Sequence, residues 1–235
     1  MINCVTISNS HNFDQNLVKA QHELRYKEVI SKEQWKNIYT MDGMEFDRYD
    51  NLATEYFVAR NETGQVVGVT RSYPTTLPYM LQESFFNLFS KDLPSTPKVF
   101  EASRLVLDRE LLTKEERIPV INRLIVAYME RGLQKNIDGY VGFMLPKIWE
   151  STFIRAGWDV MWLGKEETLG CSGDKVRAAF MPVSEEMNEK IRKITGIQEK
   201  VLDFGTNQSP TTNKVATWSD EEIQQPVQQP VRKAA

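Results

Sequence analysis

The sequence predicts an α/β protein, a mixed central sheet flanked by helices, and three stretches carry that expectation. Lys98–Asp108 has the length and the Val, Leu and Phe content of a buried strand. Two β-rich runs, Thr54–Arg60 and Gln65–Tyr73, flank Asn61-Glu62-Thr63-Gly64, a hairpin signal. Thr113–Leu133 repeats apolar residues at helical spacing over the longest such run in the chain. Strands, a helix, a strand, a helix and further strands, in that order, make a layered α/β sandwich.

Composition bounds the alternatives. With 235 residues, 41% of them hydrophobic, the chain can bury a sizeable core as one domain or at most two. A net charge of −3 and a pI near 5.6 give nucleic acid no bulk electrostatic handle. Cys4 and Cys171 have no partner spacing, and the histidines are His11 and His22. Such a chain has no disulfide framework and no Cys/His metal site, and Cys–His or Ser–His catalysis does not suit it. No charged leader precedes an apolar core, and no run approaches ~18 apolar residues, so a soluble, cytoplasmic protein without a membrane partner is expected.

In order, Ile2–Ile7 alternates as a first strand. A helix starts near Phe13, with Ser10 or Asn12 as N-cap, and ends near Val29 or Ile30. Ser31–Asn51 shows little periodicity and reads as a long loop of the kind that carries function. Gly68 interrupts the second hairpin strand, marking a bulge or a close backbone approach, while Val67, Val69 and Arg71 share a face. Tyr79–Phe89 reads as a short amphipathic helix. In the long helix Ile118, Ile121, Leu124, Ile125, Tyr128 and Met129 form the apolar stripe, Thr113 with Glu116 forms a capping box, and Gly132 or Asn136 marks the end. Ile137–Leu145 is a strand, Lys147–Ala156 a helix stopped at Gly157, Trp158–Leu163 and Lys175–Val183 strands, and Ser184–Lys193 a helix. The folded domain is expected to span residues 1–202. From 203 to 235 Thr, Asn, Gln, Ser and Pro dominate and Gln-Gln-Pro-Val occurs twice, so this part reads as a disordered tail.

The chemistry concentrates in a few charged positions. Glu101 and Arg104 sit inside the central strand, where an unpaired charge would cost several kcal/mol or shift its pKa. Alternation places Glu101 and Ser103 on one face and Arg104 on the other, so a common cleft requires a bulge between them. The ordinary alternative is an ion pair at the sheet margin. Glu45, Asp47 and Asp50 with interleaved aromatics, and Arg25 and Trp35 upstream, fit a solvated face or a pocket for a zwitterionic or cationic ligand.

These residues are where the sequence resembles a known family, the acyl-homoserine-lactone synthases, autoinducer synthases of bacterial quorum sensing. The family's Arg, its Trp ten positions on and its Glu-x-Asp-x-aromatic-Asp fall on Arg25, Trp35, Glu45, Asp47, Tyr49 and Asp50. Its strand Arg, its Phe fourteen residues later and its Glu-x-x-Arg fall on Arg71, Phe85, Glu101 and Arg104. The likeness runs from about residue 15 to 195. Val29 stands where the family has an aromatic, Asn37 where it has an aliphatic residue, and Leu105 where a Phe is common; these departures touch the packing of the substrate cleft.

The resemblance implies a three-layer fold similar to GCN5-type N-acetyltransferases. It also implies a reaction in which S-adenosylmethionine (SAM) is acylated on its amine by acyl carrier protein or acyl-CoA and lactonises with loss of methylthioadenosine. SAM and the thioester are substrates; no cofactor and no metal are implied. The SAM ammonium must lose a proton before attack, and Glu101 suits a base because an α-amine titrates near ~7.7–8.0. Backbone N–H groups at a strand bulge would steady the oxyanion. Arg25, Arg71 and Arg104 are candidates to fix the carboxylate or the thioester arm, with Glu101 and Arg104 the catalytic pair. Asp47 and Asp50 balance the sulfonium and ammonium or else bridge Arg25 and Arg71, and Trp35 and Phe85 wall the cleft. By analogy Ser103, Leu105, Phe143 and Met144 line the acyl channel, and the bulk of Phe143 and Met144 favours a short, branched or otherwise atypical chain. Lys114, Arg117, Lys147 and Arg155 offer a basic surface to an acidic carrier. A generic N-acyltransferase is the alternative, or a non-catalytic acyl- or nucleoside-binding module. The first would need a glycine-rich diphosphate turn, and Asp108–Thr113 has no glycine.

Overall fold

A computed structural model describes residues 5–9, 13–32, 39–88, 92–169 and 173–204. In chain order its elements are β1 (Val5–Ser8), α1 (Gln15–Arg25), β2 (Tyr39–Met41), β3 (Met44–Phe46), β4 (Glu55–Arg60), β5 (Val66–Pro74), α2 (Met80–Ser84), β6 (Val99–Leu107), α3 (Lys114–Lys135), β7 (Gly139–Met144), α4 (Pro146–Trp149), β8 (Met161–Trp162), β9 (Glu167–Leu169), β10 (Asp174–Pro182), α5 (Glu185–Thr195) and β11 (Leu202–Asp203). One nine-stranded sheet runs β11-β1-β4-β5-β6-β7-β10-β8, with β9 also on β10. It is mixed: β6 and β7 pair parallel, and their outer neighbours pair antiparallel.

Apolar periodicity decides which helix covers which face. Leu124, Ile125, Tyr128 and Met129 of α3 join Trp149 of α4 and Ile191 of α5 in the main core against Phe57, Phe100 and Tyr140. On the opposite face Leu17 and Leu24 of α1 pack on Tyr56, Val58, Val69 and Val106. Beside them Tyr79 and Leu81 pack on Val99, Val141 and Ala178. The result is three layers, helix, sheet and helix.

Two irregularities in the middle of the sheet break its regular pleat. β6 and β7 are registered only at Val99↔Gly139, Phe100↔Tyr140 and Glu101↔Val141, and then run on unpaired, so the sheet forks just beyond Glu101. Gly142 stands at that fork: a Cβ there would lie 3.0 Å from the Ala102 carbonyl oxygen and 3.8 Å from the Trp149 ring. Between β5 and β6 the register slips by one residue, from Val69↔Val106 to Arg71↔Ser103. The extra residue is accommodated at Arg104, whose φ of 57° is left-handed. Thr70 Oγ1 donates to the Ser103 carbonyl at 3.1 Å beside this bulge, and Tyr128 OH donates to the Arg71 carbonyl at 2.8 Å.

Several expectations need correction. The first helix is capped by Asp14, whose carboxylate accepts from Asn16 and Leu17 N–H; Ser10 and Asn12 lie outside the described residues. Past Arg25 it continues as a wider π turn to Lys32. The segment read as a loop contains the β2–β3 hairpin, turning at Asp42 and Gly43 with φ of 50° and 74°. Two positive φ values are what an Asp-Gly turn of this kind needs. Val67 does not share a face with Val69 and Arg71. A register shift opposite Ala59 and Arg60 turns it into the α3 core. Ile118 of the expected apolar stripe is 45% exposed. The Trp158–Leu163 strand shrinks to Met161–Trp162, and β9 is additional. Leu202 and Asp203 pair parallel with Val5 and Thr6 as a short edge strand; the rest of the expected tail lies outside the described residues. The capping box of α3 forms as expected, and Asn136 closes the helix in the left-handed conformation. No helix among the described residues is long and apolar enough to cross a membrane.

Gly68 shows the close approach anticipated for it: an added Cβ would meet Val120 Cγ1 at 2.8 Å and Leu107 Cδ2 at 3.0 Å. Gly68→Ala therefore overpacks the β5–α3 contact and is expected to cost about 1–3 kcal/mol, read as a lower denaturant midpoint in equilibrium unfolding. An unchanged midpoint would mean that α3 does not lie tightly on β5.

Candidate active site

Six of the sequence-selected charged residues meet on the α1–α2 face of the sheet. Arg25, the last residue of α1, donates to both oxygens of Asp50 at 2.8 Å, to Gln21 Oε1 at 3.3 Å, and through Nε to Glu45. Arg71 on β5 donates to both oxygens of Asp47 at 2.6 and 2.9 Å, to Asp50 at 3.0 Å and to Ser103 Oγ at 3.0 Å. Arg104 donates to Glu45 at 2.9 Å and Asp47 at 2.8 Å. The bulge is what turns Arg104 toward these acids, as the strand period demands of a shared cleft.

The carboxylates are fixed as firmly as the guanidiniums. Asp50 also accepts from Tyr56 OH and from the Asp47 amide, each at 2.8 Å. Glu45 reaches the network from β3, and its carbonyl is 2.7 Å from His22 Nδ1. The His22 ring stacks on Phe46 with centroids 4.2 Å apart. Thr54 and Asn51 tie the rest of the loop, and Glu83 of α2 accepts from Tyr49 OH at 2.7 Å and Arg48 at 3.0 Å. Arg25, Arg71 and Glu45 have no side-chain exposure, whereas Asp47 retains 16% and Arg104 13%. The network therefore opens to solvent at its Asp47–Arg104 end. Beside Asp47 a groove of about 390 Å³ is lined by Tyr39, Met41, Phe46, Asp47, Arg48 and Asp50. Among the described residues Arg104 Nη1 has only Met80 Sδ, at 3.9 Å, as a partner.

Burial pushes the Asp50 carboxyl up, but hydrogen bonds and charge from Arg25 and Arg71 outweigh it and hold Asp50 well below the ordinary range. The same contest, with Arg104 and Arg25 as the opposing charges, lowers Glu45. His22 is lowered by burial and by Arg25, so it stays neutral near pH 7. Glu101 behaves differently. It is fully buried, and burial pushes it up to about 7 against the Leu81 and Met80 amides and the Arg71 charge, with Asp47 reinforcing the rise.

The aromatic and acyl candidates divide between the two faces. Phe85, just past α2, stacks on Phe143 of β7 with centroids 4.2 Å apart, in the cluster around Glu101. Ser103 joins the network through Arg71. Leu105 and Met144 instead pack against the main core on the α3 face. Trp35 lies outside the described residues. Glu45 was visible in the acidic motif but its central place was not, and Gln21, His22 and Tyr56 carried no signal beyond their spacing around Arg25. No group of three or more His, Cys, Asp or Glu among the described residues is disposed to hold a metal. The turn after β6 is closed on itself: Asp108 accepts from the Glu110 and Leu111 amides at 2.9 Å. Those amides are not available to a diphosphate.

Known proteins resemble this chain in sequence and in fold. The family model described as autoinducer synthase matches residues 9–191. The chain is 31% identical over 166 residues to an isovaleryl-homoserine lactone synthase of Bradyrhizobium diazoefficiens, covering 70% of this chain and 72% of that one. The solved structure of a CoA-dependent acyl-homoserine lactone synthase, BjaI, with MTA, superposes with a TM-score of 0.76 at 25% identity, covering 86% and 94%. A Lactobacillus plantarum chain assigned as an N-acetyltransferase, at TM-score 0.50, 14% identity and 77% and 100% coverage, shares the fold alone.

Asp50 pairs with two buried guanidiniums, so Asp50→Asn should destabilise the fold by ~3–5 kcal/mol at pH 7 in urea unfolding. Because the folded pKa is depressed, this contribution is complete above the ordinary carboxyl range and fades as pH falls below ~4. The difference between variant and parent should shrink in that direction; a constant difference would contradict an ionised, paired Asp50.

Proposed function

This chain belongs to the autoinducer synthase family: it is an acyltransferase that makes acyl-homoserine lactones for quorum sensing, and we propose how its residues divide that work. SAM enters at the open Asp47–Arg104 end of the ion network, where Arg104 Nη1 takes its carboxylate and Asp47 faces its cationic centres. Asp50, Arg25 and Arg71 fix those two groups in place, which makes their part in SAM binding one of preorganisation. Trp35 and the groove walls hold the nucleoside. The acyl thioester, on coenzyme A or on acyl carrier protein, lies in the fork between β6 and β7 with Phe85 and Phe143 along one wall.

Glu101 takes a proton from the SAM ammonium. The freed amine adds to the thioester carbonyl, the C–S bond breaks, and the surplus N–H proton of the adduct goes to the departing thiolate, leaving an amide and a thiol. The SAM carboxylate then attacks its own γ-carbon, a C–O bond replaces the C–S bond, and methylthioadenosine departs with the bonding pair. The observation that carries this reading is the fully buried Glu101 carboxyl where the sheet forks, beside the Arg71–Asp47 pair, a burial that pushes it up to about 7. A base matched to a substrate amine near ~7.7–8.0 is what the first step needs.

For the acyl group we propose a short or branched chain. Support comes from the Phe85–Phe143 pair on one side of the fork, and from Trp149, Met144 and Leu105 in the core on the other. The likeness to an isovaleryl-homoserine lactone synthase points the same way.

Glu101→Gln should slow methylthioadenosine release by ~10²–10⁴-fold with the fold intact, measured with purified enzyme, SAM and acyl thioester. Wild-type turnover would remove Glu101 from the base role. Its raised pKa also fixes a sign: the native carboxyl binds its proton more tightly than the unfolded one, so it lends stability at low pH that is lost between the ordinary carboxyl range and about 7. The melting temperature of Glu101→Gln relative to wild type should therefore rise from pH 5 to pH 8. In a panel of isovaleryl, hexanoyl and dodecanoyl thioesters on both carriers, the shorter donors should dominate by mass spectrometry of the lactone; a twelve-carbon product in excess would overturn the acyl assignment.

A further inference from the structure

Helix α2 is five residues long, and its cap residue, Tyr79, makes no side-chain hydrogen bond to the first turn. Its opening amides are taken instead by a residue from the centre of the sheet. Leu81 N–H donates to Glu101 Oε1 at 2.7 Å, and Met80 N–H donates to Glu101 Oε2 at 3.2 Å. These donors lie in an otherwise apolar setting of Tyr79, Leu81, Val99 and Val141.

We propose that the first turn of α2 is the positioning element of the catalytic base: the Leu81 and Met80 amides orient the Glu101 carboxylate and stabilise its ionised form, so that it can give up its proton between turnovers. The inference rests on the reading of Glu101 as base. Each carboxylate oxygen uses one acceptor site on an amide and keeps another, so the grip does not block proton transfer. It fixes which sites face the fork.

The other groups that act on Glu101 cannot do this. The Arg71 guanidinium on β5 favours its charge, but it is committed to Asp47, Asp50 and Ser103. Asp47, from the loop after β3, opposes the charge, as does burial. Tyr79 before α2, Tyr49 in the acidic loop and Tyr128 on α3 are neutral near pH 7, each pushed above its ordinary pKa by burial first. That leaves the α2 amides as the hydrogen bonds assigned to the carboxylate. The helix is itself held in place by Glu83, through Tyr49 and Arg48, and it ends at Phe85 against Phe143. Base orientation is thereby tied to both substrate sites.

The test replaces one donor N–H by an ester oxygen and leaves every side chain as it is. Replacing Leu81 by the α-hydroxy acid with the same side chain, through nonsense suppression, turns the Met80–Leu81 amide into an ester. The acid limb of kcat/KM for SAM should then move to higher pH by roughly one to two units, while the rate at alkaline pH stays within a few-fold of wild type. The SAM amine titrates identically with both enzymes and cancels in the comparison. A folded ester enzyme whose limb stays in place, with Glu101→Gln still inactive, overturns the role of α2. Normal turnover by Glu101→Gln overturns the base reading instead. Should the Leu81 ester not fold, the ester at Met80 removes the longer bond and should give a smaller shift of the same sign; an unmoved limb there also overturns the proposal.

Discussion

Guanidinium groups keep their charge in any interior, so a chain that buries Arg25 and Arg71 completely must bring carboxylates to them. Glu45, Asp47 and Asp50 do so from one short stretch after α1, and Arg104 closes the set from the central strand. Much of the local architecture serves that requirement. The β2–β3 hairpin delivers Glu45, the turns between Asp47 and Thr54 hold the other acids, and Arg104 accepts a left-handed backbone to reach them. That conformation costs a non-glycine residue roughly 1–2 kcal/mol. Losing a partner for a buried charge costs ~3–5 kcal/mol, so the bulge is the lower-energy arrangement.

The same bulge separates the two faces of β6. Before it, Glu101 and Ser103 face the ion network and Phe100 faces α3; after it, Leu105 and Leu107 again face α3 while Val106 meets α1. Arg104 is the residue that would otherwise have pointed into the main core. The fork between β6 and β7 opens just before the bulge: past Glu101 and Val141 the two strands are no longer in register, while β7 keeps its pairing with β10 along its whole length. Gly142 allows the Ala102 carbonyl to pass close at the point of divergence. Charged network, base and fork are thus three consequences of one strand, and in the proposed reaction they correspond to amino-acid substrate, proton acceptor and thioester.

The sequence revealed some of these residues and hid others, for physical reasons. The buried charges of Lys98–Asp108 stood out because charge inside an apolar strand is costly, and the need for a bulge came from the two-residue period of a strand. The long helix was legible because its capping box and left-handed Asn136 are local chemistry. The β2–β3 hairpin was missed since three-residue strands show no periodicity, although Asp42-Gly43 was itself a turn signal. Val67 falls on the other face because β5 itself bulges there, taking two steps between Val66 and Gly68 against one step of β4 from Arg60 to Ala59; Gly68 beside it was the only mark of that bulge in the sequence. The α2 amides on Glu101 were invisible for a different reason: backbone donors have no letter in the sequence. Glu45 lay in plain view, but only the fold places it between Arg25 and Arg104.

In the proposed mechanism, charge balance lets Glu101 work as a base beside so many ions. Arg25, Arg71 and Arg104 match Glu45, Asp47 and Asp50 one for one, so the network is neutral and Glu101 is the odd acid. SAM with its amine protonated carries one net positive charge, which makes the assembled site neutral again. Proton transfer from that ammonium to Glu101 then moves charge without creating it. With the acid at about 7 and the amine near ~7.7–8.0, the transfer is uphill by roughly 1 kcal/mol, a small part of any acylation barrier. An ordinary surface glutamate would make the same step uphill by about 5 kcal/mol. In the proposed reaction lactonisation then discharges the sulfonium, so neither the lactone nor methylthioadenosine keeps the cation assigned to Asp47, and the charge attraction proposed to draw SAM in does not hold the products.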